Sequence, residues 1–358
     1  MDIRGESVNM LALLRAVPKI HLGAVAYLEA YIDFVKPKLI LSRTDNNHTL
    51  WQLKRRPNST YKVALVQNGW RPEQFGSIEV WKSEIRSGRK PLIDCAFIFG
   101  TGLADIDLTN FLGQIIASGS IKLNQIEKSK PEIAALDIVL ISEYRTNDIM
   151  LSPDLYDVDR KLNSAILKFA IQRDLEIHVA GAVKNQSGML EEKSWYQAQF
   201  GDNKWKFHPR NSTSSYGLVA SAKMVVTVDS TMGYEALSLG RKSAMFTCRY
   251  IKRWRGYELM FDCLISKLEK AGVDTSNIDR LNNRFGASLA FSESGFFWSN
   301  IESPTEFERV LKNVYEASDD EWERESRPFA DQLMVHDYGN TKIRAYVEGV
   351  LTGSLKSN

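Results

Sequence analysis

Met224-Val225-Val226-Thr227-Val228-Asp229-Ser230-Thr231-Met232-Gly233-Tyr234-Glu235-Ala236-Leu237-Ser238-Leu239-Gly240 is the stretch that decides the fold. Met224–Val228 is an apolar, β-branched run, suited to a parallel strand covered on both faces. Asp229 or Ser230 then caps a short helix whose first turn carries the hydroxyls of Ser230 and Thr231. Gly240 stands where a helix end favours a left-handed residue. The N-terminus of such a helix offers unpaired N–H groups and a positive dipole end, a seat for an anion such as a nucleotide phosphate. Glu235 falls about one turn further along, where a carboxylate could reach ribose hydroxyls. An ordinary βα unit with a capped helix has the same pattern, so this segment alone leaves both readings open.

Outward from it, short apolar runs alternate with helical spacing. In the first part, Val8–Ala16 and Ala24–Val35 read as helices, followed by a strand at Lys38–Ser42, helix-like sequence near His48–Arg55, and strands at Lys62–Val66 and Ile93–Phe99. No strand is expected before Val8. The polar stretch Ser118–Pro131 reads as a linker. A second series follows: strand Ala135–Ser142, helix Asp157–Arg173, strand Leu175–Ala180, helix Lys193–Phe200, strand Trp205–Phe207, helix Ser214–Ser221, the opening motif, and strand Lys242–Phe246. Three helices close the chain, the first starting at Ser303-Pro304-Thr305-Glu306 with proline at its first position, the others at Glu321–Val335 and Asn340–Leu351. Alternating strands and helices predict an α/β fold of two doubly wound Rossmann-like domains with a helical C-terminal tail, ligands gathering outside the carboxyl ends of the strands. The expected division is 1–130, 131–320 and a tail 321–358 packing back on the first domain.

Bulk properties narrow the function. The 358 residues carry a net charge of +2, 44% hydrophobic and 25% charged residues, which gives no argument for bulk nucleic-acid binding. The basic cluster Lys252-Arg253-Trp254-Arg255 fits a solvated turn or an anion contact. Cys95, Cys248 and Cys263 form neither a disulfide framework nor a zinc pattern, which suits a reducing cytoplasm. Cys95 reads as a core residue. No segment approaches the roughly 18–20 apolar residues of a membrane span, and the N-terminus lacks the apolar core of a signal peptide, so any membrane association is expected to be peripheral. The five histidines are scattered, and Asp105-Ile106-Asp107 reads as a helix start rather than a metal clamp, so neither metal nor resident cofactor is expected.

Five strings carry a family likeness: Thr44-Asp45-Asn46-Asn47, Val66-Gln67-Asn68-Gly69-Trp70-Arg71, Ile141-Ser142-Glu143-Tyr144-Arg145, Asp229–Leu237, and His336-Asp337-Tyr338-Gly339-Asn340. With them the chain resembles GT-B-type glycosyltransferases, and more narrowly bacterial surface-carbohydrate biosynthesis proteins. The resemblance implies two domains facing a cleft and metal-independent, inverting sugar transfer from a nucleotide-sugar donor to a glycan or glycolipid acceptor. The work would be done in the cytoplasm, at the inner face of the cell membrane. It places the nucleotide on the second domain with Ser142, Arg210, Ser230, Thr231 and Glu235. The acceptor or donor sugar would meet Asn46, Gln67, Asn68, Gly69, Glu143 and Arg145.

His208-Pro209 followed about twenty residues later by Ser230-Thr231 is similar to transferases of CMP-activated acidic sugars, which implies a CMP-ulosonic acid donor. A UDP-sugar is the other expectation. The acidic pair that those transferases carry before a glycine in the first domain is replaced here by Gln67-Asn68-Gly69, which cannot act as a base. Asp45, just past a strand end, is the candidate to deprotonate the acceptor, although a helix-capping aspartate looks the same in sequence. Glu143 and Asp229 are the reserve carboxylates. His208 would assist the leaving phosphate. A CDP-polyol phosphotransferase, a sugar-nucleotide epimerase and a non-catalytic nucleotide-binding scaffold are the alternatives.

Overall fold

The computed structural model describes residues 8–45, 50, 61–69, 93–103, 113–127, 136–144, 153–210, 214–228, 230–248, 269 and 294–354. Helix-like sequence near residues 48–55, apart from Leu50, and Asn46, Asp105-Ile106-Asp107, Arg145, Asp229 and the 252–255 cluster lie outside them. The chain divides into two compact units. One comprises Met1–Gln125, Phe261–Asp279 and Asp337–Asn358, the other Ile126–Met260 and Arg280–His336.

The first unit opens with two helices, α1 (Met10–Ala16) and α2 (Ala24–Val35). Asn9 caps α1 by accepting the Ala12 amide at 3.0 Å. Lys36 ends α2 in the left-handed region (φ 51°) before Pro37, which cannot continue a helix. Small residues on both helices, Ala12, Ala16, Ala26 and Ala30, let them pack closely. Four parallel strands follow among the described residues: β1 (Leu39–Ser42), β2 (Lys62–Val66), β3 (Cys95–Ile98) and β4 (Gln114–Ala117). They lie in sequence order with no reversal. The sequence pattern did not reveal β4, a four-residue edge strand with no clear alternation.

The expected linker also differs. Ser118, Leu123 and Asn124 are fully buried, and the side-chain amide of Asn124 is satisfied inside the unit. The Asn124 amide donates to Ser118 O (2.7 Å) and Asn340 Oδ1 (2.9 Å), while its Oδ1 accepts from the Asp337 amide (2.9 Å). Asn340 and Gly339 take left-handed conformations there, and helix α9 (Thr341–Thr352) lays Ile343 and Tyr346 on Ala64, Val66, Cys95 and Phe97. Cys95 is buried, as expected, and burial pushes its thiol up to about 12.

The second unit holds a parallel sheet of β5 (Leu136–Ile141), β6 (Ile177–Ala180), β7 (Trp205–His208), β8 (Ala222–Thr227), β9 (Ser243–Phe246) and the two-residue β10 (Trp298–Ser299). Its order is β10-β9-β8-β5-β6-β7. The chain first builds β5, β6 and β7 in one direction and then returns to add β8, β9 and β10 on the other side. The reversal falls between β5 and β8. Both faces are covered, since consecutive residues Met224, Val225 and Val226 are all fully buried.

The described helices of this unit are α3 (Pro153–Arg173), α4 (Gln186–Phe200), α5 (Ser214–Ala220), α6 (Thr231–Ser238), α7 (Pro304–Glu316) and α8 (Asp319–Leu333). The opening motif is strand β8, a turn and helix α6, with Gly240 at φ 78°. Helix α8 belongs to this unit, so the division of the tail falls at residues 336–337 rather than near 321. Trp322 accounts for it: its ring meets Phe297 and its indole N–H donates to Gly240 O at 3.1 Å.

Candidate nucleotide-sugar site

In an open α/β sheet, ligands bind outside the carboxyl ends of the strands, where the strand order reverses. In the second unit that place lies between the ends of β5 and β8. From β8 the chain turns through Ser230, whose amide donates to Thr227 Oγ1 at 3.2 Å, into α6. Ser230 occupies the cap position, yet its side chain makes no capping bond, and no acidic residue stands in the first helical turn. Gly233 lets α6 lie directly on β8, since a Cβ there would stand 2.3 Å from Thr227 Cγ2. Glu235, one turn on, is buried and accepts the Tyr216 hydroxyl at 2.9 Å. A ribose hydroxyl reaching this carboxylate would meet Tyr216 beside it.

Beyond β5, Ser142 is buried and its hydroxyl donates to Glu192 Oε1 at 2.5 Å. The carboxylate of Glu192, on α4, also accepts the amides of Ala182 (2.8 Å) and Val183 (3.1 Å). Burial raises its pKa, and these three bonds offset part of the rise. Glu192 thus stitches together the exits of β5 and β6. Ser142, expected at the phosphate, has its hydroxyl engaged inside this knot. Arg210 donates to Ala182 O at 2.6 Å and so lies at the same exits. Glu143, next along from Ser142, is half-buried.

His208 ends β7, the edge strand. Its Nε2 meets His178 Nδ1 at 3.0 Å with the two rings stacked, and His178 Nε2 lies 3.0 Å from Glu176 Oε2. At ~4.8 Å per strand, β7 lies about 14 Å from β8, and the His208 ring is held toward His178. His208 and Ser230 therefore stand at strand ends three steps apart in the sheet.

In the first unit, the ends of β1, β2 and β3 bring Asp45, Gln67, Asn68 and Gly69 together. Asp45 Oδ1 accepts the Asn68 amide at 3.2 Å, and Gln67 bridges to the Phe99 amide (2.8 Å) and Gly69 O (3.2 Å). Asp45 is fully buried. It ties one strand exit to the next. Glu192, Tyr216, Glu176 and the pairing of His178 with His208 were beyond sequence reasoning, since no spacing in the chain announces them. Among the described residues no group of three or more His, Cys, Asp or Glu side chains could hold a metal ion.

A family model described as "putative O-antigen biosynthesis protein" matches residues 64–262 and 272–350. The chain belongs to this family of O-antigen biosynthesis proteins. No curated protein matches it by sequence. Among solved structures it is similar to a "putative UDP-N-acetylglucosamine 2-epimerase" from Listeria monocytogenes, at 11% identity and a TM-score of 0.53, over 99% of this chain and 83% of that one. It is also similar to S. aureus MnaA solved with UDP, at 11% identity and a TM-score of 0.50, over 92% of this chain and 78% of that one. At such identity the likeness is one of fold. The fold is the α/β plan of GT-B glycosyltransferases and sugar-nucleotide epimerases.

Proposed function

We propose that this O-antigen family protein is a metal-independent, inverting glycosyltransferase using a nucleotide-sugar donor. The observation that carries the reading is the switch point of the second sheet. The start of α6, bearing Ser230 and Thr231 with no capping bond from the Ser230 side chain, stands there one strand from the exit of β5. Ser230, Thr231 and the α6 amides hold phosphate, and Glu235 with Tyr216 meets the ribose. His208 binds an anionic oxygen toward the other end of the donor, with Arg210 near it. The His-Pro and Ser-Thr order supports a CMP-activated ulosonic acid as donor, with a UDP-sugar as the second choice.

Asn68, Gly69 and Gln67, at the carboxyl ends of the first sheet, line the acceptor side. Of the carboxylates at strand ends, Asp45 is sealed from solvent and holds Asn68, so its role in this proposal is to position Asn68 rather than to take the acceptor proton itself. Glu143, half-exposed, is the carboxylate assigned to acid–base work.

Titration calorimetry with CMP, CDP, UDP and GDP, with and without magnesium, tests the reading. Expected is metal-free binding of CMP, weakened at least about tenfold in Ser230→Ala, a loss of about 1.4 kcal/mol. With the matching donor, Glu143→Gln should lower kcat while leaving nucleotide affinity unchanged. Preference for UDP would replace the donor. Interconversion of a UDP-sugar with no acceptor present would make the protein an epimerase. Binding of none of the four would overturn the nucleotide site.

No helix among the described residues is long and apolar enough to cross a membrane. We infer peripheral contact with an anionic lipid surface through α1. Its Met10, Leu11 and Leu14, with Val17 just beyond, are exposed, and Arg15 and Lys19 stand among them.

A further inference from the structure

We propose that Glu176 and His178 lock His208 in the tautomer whose Nδ1 carries no proton, so that His208 takes up a proton when it binds a donor anion. The uptake rests on the reading of His208 as an anion ligand; the lock does not.

The argument starts from donors and acceptors. Glu176 Oε2 is an acceptor 3.0 Å from His178 Nε2, and it also receives Lys206 Nζ at 3.0 Å. The Glu176 contact is an ion-pair approach, and the negative charge beside Nε2 favours a neutral His178 with its single N–H on Nε2 and a lone pair on Nδ1. That lone pair faces His208 Nε2 at 3.0 Å. Only one proton fits between the two nitrogens, and it must sit on His208. Neutral His208 is thus the Nε2–H tautomer, and its remaining nitrogen, Nδ1, is an acceptor with no partner among the described residues. An acceptor repels a phosphate or carboxylate oxygen. Only after Nδ1 is protonated does it become a donor, and a charged one.

The pair carries at most one such proton, because two protonated rings would point N–H at N–H. The charged and titratable groups around it are Glu176 and Lys206 on the strand faces, and Asp137, which acts on His178 and accepts the Glu176 amide at 3.1 Å. Helix α5, packed against β5 and β8, brings no charged residue. Burial is the largest influence on both rings and lowers both pKa values, so the pair is neutral at neutral pH and the proton arrives with the ligand. His178 is in this sense a positioning residue acting through His208.

Nitrogen-15 spectra of the histidines in the full chain test the lock without any ligand. Expected for His208 is a protonated Nε2 and a bare Nδ1. A His208 protonated on Nδ1 at neutral pH would overturn the proposal. In His178→Leu the resonance should shift toward a mixture of tautomers, and His178→Gln, whose carbonyl can accept from Nε2, should restore it. If His178→Leu does not fold, Glu176→Leu removes the acceptor at the outer end and should release the lock in the same way.

Calorimetry with CMP and UDP in buffers of different ionisation enthalpy then reads proton uptake. Expected is net uptake on binding, and an affinity falling up to about tenfold per pH unit above neutrality, the limit for one linked proton. His178→Leu should flatten that dependence. Binding without uptake in the wild type would overturn the proton linkage. A locked tautomer in a protein that binds neither nucleotide would support the lock and overturn the nucleotide reading instead.

Discussion

Gly233 shows how one residue sets the geometry of a site. Helix α6 rests on β8 because nothing projects from position 233, and a methyl there would stand 2.3 Å from Thr227 Cγ2 and 2.9 Å from its Cβ. Thr227 is fully buried and β-branched, so its χ1 has little freedom to yield. Gly233→Ala should therefore push the helix off the strand and cost roughly 1–3 kcal/mol, despite alanine's better helix propensity. Urea denaturation measures this, and a variant as stable as the wild type would show that α6 can shift freely. The same displacement would move Ser230 and Thr231, so nucleotide affinity should fall with it. At this scale Ser230, Thr231 and Glu235 were legible as neighbours on one βα turn, because such a turn is written in consecutive residues. Glu192 was illegible: its partners, Ser142, Ala182 and Val183, come from two other strand exits, and only folding makes them neighbours.

Helix α7 illustrates the element scale. Pro304 at its first turn and Ser303 at the cap position mark its start. Glu306, in the first turn, then fastens the helix to the segment around β10. Its carboxylate accepts from Arg309 Nη2 (2.9 Å), Ser294 Oγ (2.5 Å) and Ser299 Oγ (3.0 Å). The Arg309 guanidinium, with the two hydroxyls, holds its pKa down at about 2. A depressed carboxylate stabilises the fold above its unfolded pKa, and that contribution is lost as pH falls toward the folded value. Glu306→Gln should accordingly cost about 1–2 kcal/mol at neutral pH. The gap between wild type and variant should narrow below about pH 4.5, the ordinary glutamate value, and close near pH 2. Chemical denaturation across this range measures it, and a gap independent of pH would show that the ion pair contributes nothing. Element positions were largely legible. Ala24–Val35 and Lys62–Val66 match their expected bounds, because amphipathic and buried runs announce themselves locally. Strands β4 and β10 were not legible, being short edge pieces whose existence depends on a neighbour to pair with.

For the whole molecule, the exposed apolar residues of α1 carry a prediction. Leu11→Ser with Leu14→Ser should reduce binding to vesicles containing phosphatidylglycerol several-fold. Stability should change by no more than about 0.5 kcal/mol, as for exposed positions. Co-sedimentation reads the first and thermal unfolding the second. Undiminished vesicle binding would remove α1 as the contact. The first unit also shows a dependence across the whole chain. Asn124 and the segment Asp337–Asn340 complete each other's hydrogen bonds from more than 200 residues apart.

The sequence by itself determined the α/β class, most strands and helices, the turn into α6 at Ser230-Thr231 and the place of Gly240, because each depends on residues within one turn or one strand of each other. Tertiary structure alone decided the rest. It returned α8 to the second unit through Trp322, made a polar stretch into a buried clamp through Asn124, sealed Asp45, and set His178 against His208. These outcomes depend on which groups meet across strands and on whether a buried polar atom finds its partner. That is a property of packing between distant segments, and no local pattern encodes it.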